Sequence, residues 1–241
     1  DAHGDLNTPD SSPSGAYHGM VLRALTGEGP AGLVADPAVD PRRVVLAGGR
    51  DLDPGEVAFV ASSGIGHVTT ADPQALITAV VEAGGASQGS DNAGGGQPSS
   101  GGAGVAGARS AGVAGAGSAD VAEVGSVGAV GVGAAGVGAS PSRQGEGGGM
   151  AGPQADDAVV YVHVDLDVLE PEVFGSVGSP VPGGLLPEEL VRMVTALGER
   201  FEVVGLGITE YEPGGTDDSH VLAPVVKALV EVCQPGRTAP R

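Results

Sequence analysis

The chain has 241 residues, with 30 Asp plus Glu against 11 Lys plus Arg and a formal net charge of −19. That balance excludes nucleic acid and anionic membrane surfaces as partners, because both need basic patches. It suits solubility and the attraction of cations, whether metal ions or a cationic substrate. A single cysteine, Cys233, excludes an intramolecular disulfide and a cysteine-built zinc site. With no signal peptide and no long apolar span in the sequence, a cytoplasmic location is the expectation.

Asp1-Ala2-His3-Gly4-Asp5 opens the chain without an initiator Met. A buried strand should precede such a cluster, so the chain reads as N-terminally truncated. Asn7 to Gly15 is a turn-rich loop, followed by a short helix over His18 to Leu25. Arg43 to Gly48 is a short buried strand. Asp53 then caps a helix that has Pro54 at its first position. Pro73 to Ala83 forms another helix, capped by Asp72. Of the 45 Gly residues, 24 lie between Gly84 and Gly152, whereas every Phe and Tyr lies outside that stretch. Such a segment has too little apolar surface to offset its ordering entropy, so residues 84–157 read as a disordered insertion. The remaining chain is about 165 residues, enough for one domain. Val159 to Asp167 reads as a buried strand. An amphipathic helix follows over Pro187 to Arg200, then a strand over Val203 to Ile208 and a helix over Asp218 to Cys233. Alternating strands and helices predict a three-layer α/β/α fold with a mainly parallel sheet. Ligands bind at the carboxyl ends of such strands. Asp51, Asp53, Asp165, Asp167 and Glu210 all fall there.

Two acidic clusters, far apart in sequence, carry the chemistry. Asp165 and Asp167 sit two apart at the end of a buried strand, where bare carboxylates are costly without a positive partner. If extended, Asp1, His3 and Asp5 also share a face. Converging carboxylates and an imidazole describe a hard divalent metal site, read as holding two ions. Alone, Asp165-x-Asp167 would fit a surface turn or a nucleotide-metal site equally well. The spacing is not that of an EF-hand loop.

Six blocks resemble the arginase (ureohydrolase) family, in its order. They are Asp1-Ala2-His3-Gly4-Asp5-Leu6-Asn7-Thr8-Pro9, Ser14-Gly15-Ala16-Tyr17-His18-Gly19, Arg50-Asp51-Leu52-Asp53-Pro54-Gly55-Glu56, Val164-Asp165-Leu166-Asp167-Val168-Leu169-Glu170-Pro171, Ser179-Pro180-Val181-Pro182-Gly183-Gly184 and Thr209-Glu210-Tyr211-Glu212-Pro213. The resemblance covers residues 1–83 and 158–233. It implies a single ureohydrolase-like domain interrupted at 84–157, which hydrolyses a guanidino compound with two Mn2+ ions. The substrate implied is L-arginine, cut to L-ornithine and urea. By the same resemblance, Asp1, His3, Asp5, Asp165 and Asp167 hold the metal, with Asp1 and Asp165 shared between the ions. Glu210 holds the guanidinium, His18 shuttles a proton, and Asp167 belongs to the catalytic set. Asn7, Ser14 and Asp53 contact the amino-acid end of the substrate.

The sequence departs from the family in three ways. A metal-binding His that the family places upstream is absent from this sequence. Ala16 stands where arginases carry an Asn that contacts the substrate carboxylate. Glu170 and Glu212 replace an Asp and an Asn. Two alternatives therefore stand beside arginase. One is an agmatinase or other guanidino-acid hydrolase. The other is an inactive metal-binding relative. The partner expected is a small guanidino molecule, and a homo-oligomer is compatible with the sequence.

Overall fold

The computed structural model describes residues 1–85, 130–133, 159–213 and 218–234. Five strands form one sheet in the order β2-β1-β3-β4-β5. They are β1 (Val44–Ala47), β2 (Gly66–Val68), β3 (Val130–Gly133), β4 (Val159–Asp165) and β5 (Glu202–Thr209). Pairs β1–β2 and β4–β5 are parallel, whereas β3 runs antiparallel to both β1 and β4.

β3 lies inside the stretch expected to be disordered, so that expectation is corrected for Val130 to Gly133. Two strands cannot leave facing N–H and C=O groups unpaired, and an alternating Val-Gly run can extend between them. The rest of that stretch from residue 86 to 158 lies outside the described residues. β2 is a further addition to the sequence reading.

The long helices follow the sequence closely: α2 (Pro54–Ser63), α3 (Pro73–Gly85), α4 (Pro187–Arg200) and α5 (Ser219–Val232). The expected helix near His18 is a 3-10 turn over Tyr17–Met20 that leads into α1 (Val21–Leu25). Strand alternation sorts the core. Val45 points into a cluster with Val80 of α3, Leu197 of α4 and Leu229 of α5. Its neighbours Val44 and Leu46 point the other way, toward Leu22 of α1 and Phe59 of α2. The sheet thus has helices on both faces, as the three-layer fold requires.

The fourth strand ends sooner than the sequence suggested. β4 stops at Asp165, and Leu166–Val168 form a 3-10 turn. Asp167 is therefore not on the strand with Asp165. The Asp165 carboxylate caps the turn by accepting the Asp167 N–H at 3.2 Å. No helix among the described residues is long and apolar enough to cross a membrane.

Candidate metal and substrate site

The carboxyl ends of β4 and β5 open into a cavity of about 740 Å³. Its lining includes all ten residues singled out from the sequence: Asp1, His3, Asp5, Asn7, Ser14, His18, Asp53, Asp165, Asp167 and Glu210. They differ in depth. Asp1, Asp5, Asn7, Asp165 and Asp167 are buried, whereas Ser14 and His18 are exposed at the mouth.

The N-terminal segment joins no ladder; scattered backbone bonds hold it, such as Arg50 N–H to the Ala2 carbonyl at 2.8 Å and Arg23 N–H to the Asp5 carbonyl at 3.0 Å, together with side-chain acceptors. Ala2 N–H donates to Asp167 Oδ1 at 2.8 Å, and His3 N–H donates to Asp1 Oδ1 at 2.7 Å. Leu6 N–H donates to Glu56 Oε1 at 2.9 Å, while Glu56 Oε2 accepts the Asp53 N–H at 2.8 Å. Glu56 is 3% exposed, and a Cβ on Gly4 would lie 2.9 Å from its Oε1. One buried carboxylate thus ties the Asp1–Asn7 segment to the start of α2. Asn7 Nδ2 in turn donates to Asp53 Oδ2 at 2.8 Å.

Arg50 ties the second half together. Its guanidinium donates to the carbonyls of Asp167 at 3.0 Å, Val168 at 3.3 Å and Val181 at 2.6 Å. Glu170 accepts the N–H groups of Gly183 and Gly184 at 2.8 Å each. Gly183 has φ +83°, and a Cβ on Gly184 would fall on the Leu169 carbonyl. The Pro-rich block therefore folds against the Asp167 turn. Arg50 and Glu170 had no assigned role from the sequence, because their partners are backbone groups remote in the chain. Glu56 is a third such case.

Asp5 (φ 52°) and Glu210 (φ 60°) are the two non-glycine residues with positive φ among the described residues. Both line the cavity. Strained backbone of this kind persists where the surroundings over-determine it, commonly at functional sites.

The site is strained electrostatically as well. Burial first, then the Asp165 carboxylate, pushes Asp5 up to about 8. Burial and the neighbouring Asp167 charge push Asp165 up to about 7. Burial also opposes the charge on Asp167, yet hydrogen bonds from His3 and the Ala2 N–H hold it below the usual carboxylate range. His3 Nδ1 lies 2.7 Å from Asp167 Oδ2, and that bond raises the imidazole against the effect of burial. His163 packs beneath the site with Nε2 2.9 Å from Thr209 Oγ1, and burial followed by the positive N-terminus lowers it to about 4.

A divalent cation fits this donor set. Asp1, His3 and Asp167 each offer a ligand atom within 4.8 Å of the others. Asp1 Oδ2 is buried without a hydrogen-bond partner, an orphan that a cation would satisfy. Asp5 and Asp165 line the same cavity but stand outside that tight group of three. Asp51, which the sequence places at a strand end, has a side chain 68% exposed at 4.0 Å from His3 Nε2.

Comparison with known proteins agrees with this architecture. A family model described as "Arginase family" matches residues 1–90 and 150–232. An arginase from Staphylococcus aureus is 49% identical over 85 residues, which cover 34% of this chain and 28% of that protein. An arginase from Entamoeba histolytica is 24% identical over 216 residues, 88% of this chain and 51% of that protein. The crystal structure of Bacillus subtilis arginase superposes with a TM-score of 0.60 at 23% identity, covering 97% of this chain and 60% of that one. The proclavaminate amidino hydrolase of Streptomyces clavuligerus gives 0.51 at 19% identity. The chain spans between 28% and 60% of the length of these relatives. With the matched motifs spread over both halves of the cavity, the chain belongs to the arginase family.

Proposed function

We propose that the cavity hydrolyses a guanidino compound with the help of two Mn2+ ions, and that the substrate is L-arginine, cleaved to L-ornithine and urea. The observation that carries this reading is the convergence of Asp1, His3 and Asp167 on one point, in the cavity that Glu210 lines. Asp1, His3, Asp5, Asp165 and Asp167 would hold the metal. Guanidinium is a poor electrophile, and divalent ions here would supply Lewis acidity and a nucleophile drawn from water at neutral pH.

The chain's own groups divide the remaining work. Glu210 faces the cavity and pairs with the cationic head, an arrangement that carboxylates and guanidinium groups make bidentately. His18 stands exposed at the mouth, where its imidazole can hand a proton to the departing amine. Asn7, Ser14 and Asp53 face the amino-acid end of the substrate. The Asn7–Asp53 hydrogen bond fixes the orientation of both side chains.

A second reading keeps the reaction and changes the substrate to agmatine or a guanidino acid. Ala16 favours agmatine, which has no carboxylate, since this position offers no side-chain donor to one. Urea release from L-arginine and from agmatine, with added Mn2+ and with a chelator, tests both. Mn-dependent urea from arginine supports the first reading, and from agmatine alone the second. Release that ignores the chelator contradicts both.

A further inference from the structure

Asp218 is buried, 6% exposed, and has no part in the chemistry above. It stands at the N-cap of α5, where an Asp ordinarily accepts N–H groups of its own helix. Here it makes no such side-chain bond. Its backbone carbonyl serves the helix, accepting Val221 and Leu222 N–H at 2.9 Å each. The carboxylate turns to a different segment. Oδ2 accepts the Gly175 N–H at 3.0 Å and the Ser176 Oγ–H at 2.8 Å.

Ser176 carries the tie onward. It is 2% exposed, and its carbonyl accepts the Glu212 N–H at 2.9 Å. Two residues earlier, the Phe174 ring stacks on Tyr211 at 6.3 Å. Two residues later, Gly178 presses on the acids themselves. A Cβ there would lie 2.7 Å from Glu212 Oε2 and 3.4 Å from Glu210 Oε2. The segment 174–178 is thus a template against which the loop after β5 is shaped, and that loop includes the strained Glu210. Asp218 holds this template at Gly175 and Ser176.

We propose that Asp218 is a positioning residue, which locks Gly175 and Ser176 and so sets where Glu210 and Glu212 stand in the cavity wall. Its role in substrate binding rests on the guanidino reading of Glu210. The Asp218 carboxylate bonds Gly175 and Ser176 and none of the metal-holding residues, so the tie acts first on the ligand wall.

The test compares the 241-residue chain with D218A, D218N and S176A. An Asn keeps an acceptor oxygen for both donors, whereas an Ala keeps none. Two readouts are needed: amide hydrogen exchange at Glu212, and dissociation constants for Mn2+ and for L-arginine. D218A is expected to speed exchange at Glu212 and to weaken L-arginine binding by about tenfold or more, as loss of bonds to a charged acceptor implies. Its Mn2+ affinity should fall less than its arginine affinity, because the Asp218 carboxylate bonds Gly175 and Ser176 and no metal-holding residue. D218N should return both readouts toward wild type. Unchanged exchange at Glu212 in D218A overturns the tie. Faster exchange with unchanged arginine affinity overturns its role in ligand positioning. A wild-type chain that binds no arginine overturns the guanidino reading instead, and the exchange readout alone then decides the tie. If D218A does not fold, S176A removes one of the two donors and is judged by the same outcomes.

Discussion

The two halves of the cavity are built by different means. The half at the ends of β4 and β5 rests on a backbone ladder, whose register runs from Val159 opposite Glu202 to Asp165 opposite Thr209. Asp165 is placed by the strand beneath it, whatever its side chain does. The other half, Asp1 to Asn7, belongs to no strand in this structure. Three of its amides are satisfied by carboxylates, Asp167 at Ala2, Asp1 at His3 and Glu56 at Leu6, and that of Asn7 by the Gly19 carbonyl. A ladder distributes its stability over many weak bonds, so no one side chain is decisive. A tether concentrates it, and removing one acceptor strands a buried donor. The N-terminal half should therefore fail at single residues, whereas the strand half should fail at single residues only in the loops beyond the strand ends, which depend on the ties of Arg50 and Asp218.

Replacing Glu56 with Ala should separate the halves most sharply. It strands the Leu6 and Asp53 amides, and with them the placement of Asp5 and Asn7. A loss of about 3 kcal/mol is expected in chemical denaturation, following from two unsatisfied buried donors. Mn2+ affinity should fall together with it. A variant as stable as wild type would mean that the N-terminal half has another anchor.

Gly184→Ala probes the strand half where its backbone is closest. The added methyl group meets the Leu169 carbonyl, so a cost of about 2 kcal/mol is expected from overpacking. The damage should appear at the Asp167 turn and spare the Leu6 amide, a contrast that amide exchange resolves.

Proton binding should sharpen the comparison further. Asp5, pushed up to about 8, and Asp165, pushed up to about 7, sit one in each half. Without metal, the folded chain retains protons that the unfolded chain has already released above about pH 4. That contribution is full at low pH and is lost as pH rises through the folded values. Metal-free stability should therefore fall between about pH 5 and about pH 8, by roughly 1.4 kcal/mol per pH unit for each proton retained. Mn2+ needs those carboxylates ionised, so the stabilisation that it gives should grow over the same range. A Mn2+ effect independent of pH would remove Asp5 and Asp165 from the ligand set.

The smallest effect is expected from shortening residues 86–129 to a brief Ser/Gly linker. Closure entropy changes slowly with loop length, so stability should move by less than about 1 kcal/mol. A large loss would show that this stretch supports β1 and β3.

The layered fold and the cavity lining were legible because they follow from periodicity and from motifs at strand ends. Val44, Val45 and Leu46 alternate as their positions require, and Pro54 and Pro187 begin helices where proline belongs. Three features were not legible. β2 spans three residues, Gly66 to Val68, too few for a periodic signal. The strand before Asp167 was drawn too long, because Leu166 and Val168 suit a strand and the Asp165 cap that bends the chain is itself polar. Arg50 and Glu56 resemble ordinary surface charges in sequence, and only the fold shows that their partners are buried backbone groups.

Metal stoichiometry tests the central claim most directly. Calorimetric titration of the chain with Mn2+ near neutral pH should give two ions bound, and Asp165→Ala should abolish binding of both while β4 keeps its place beside β5. A wild-type chain that binds no Mn2+, or an Asp165→Ala variant that still binds two ions, would contradict the account.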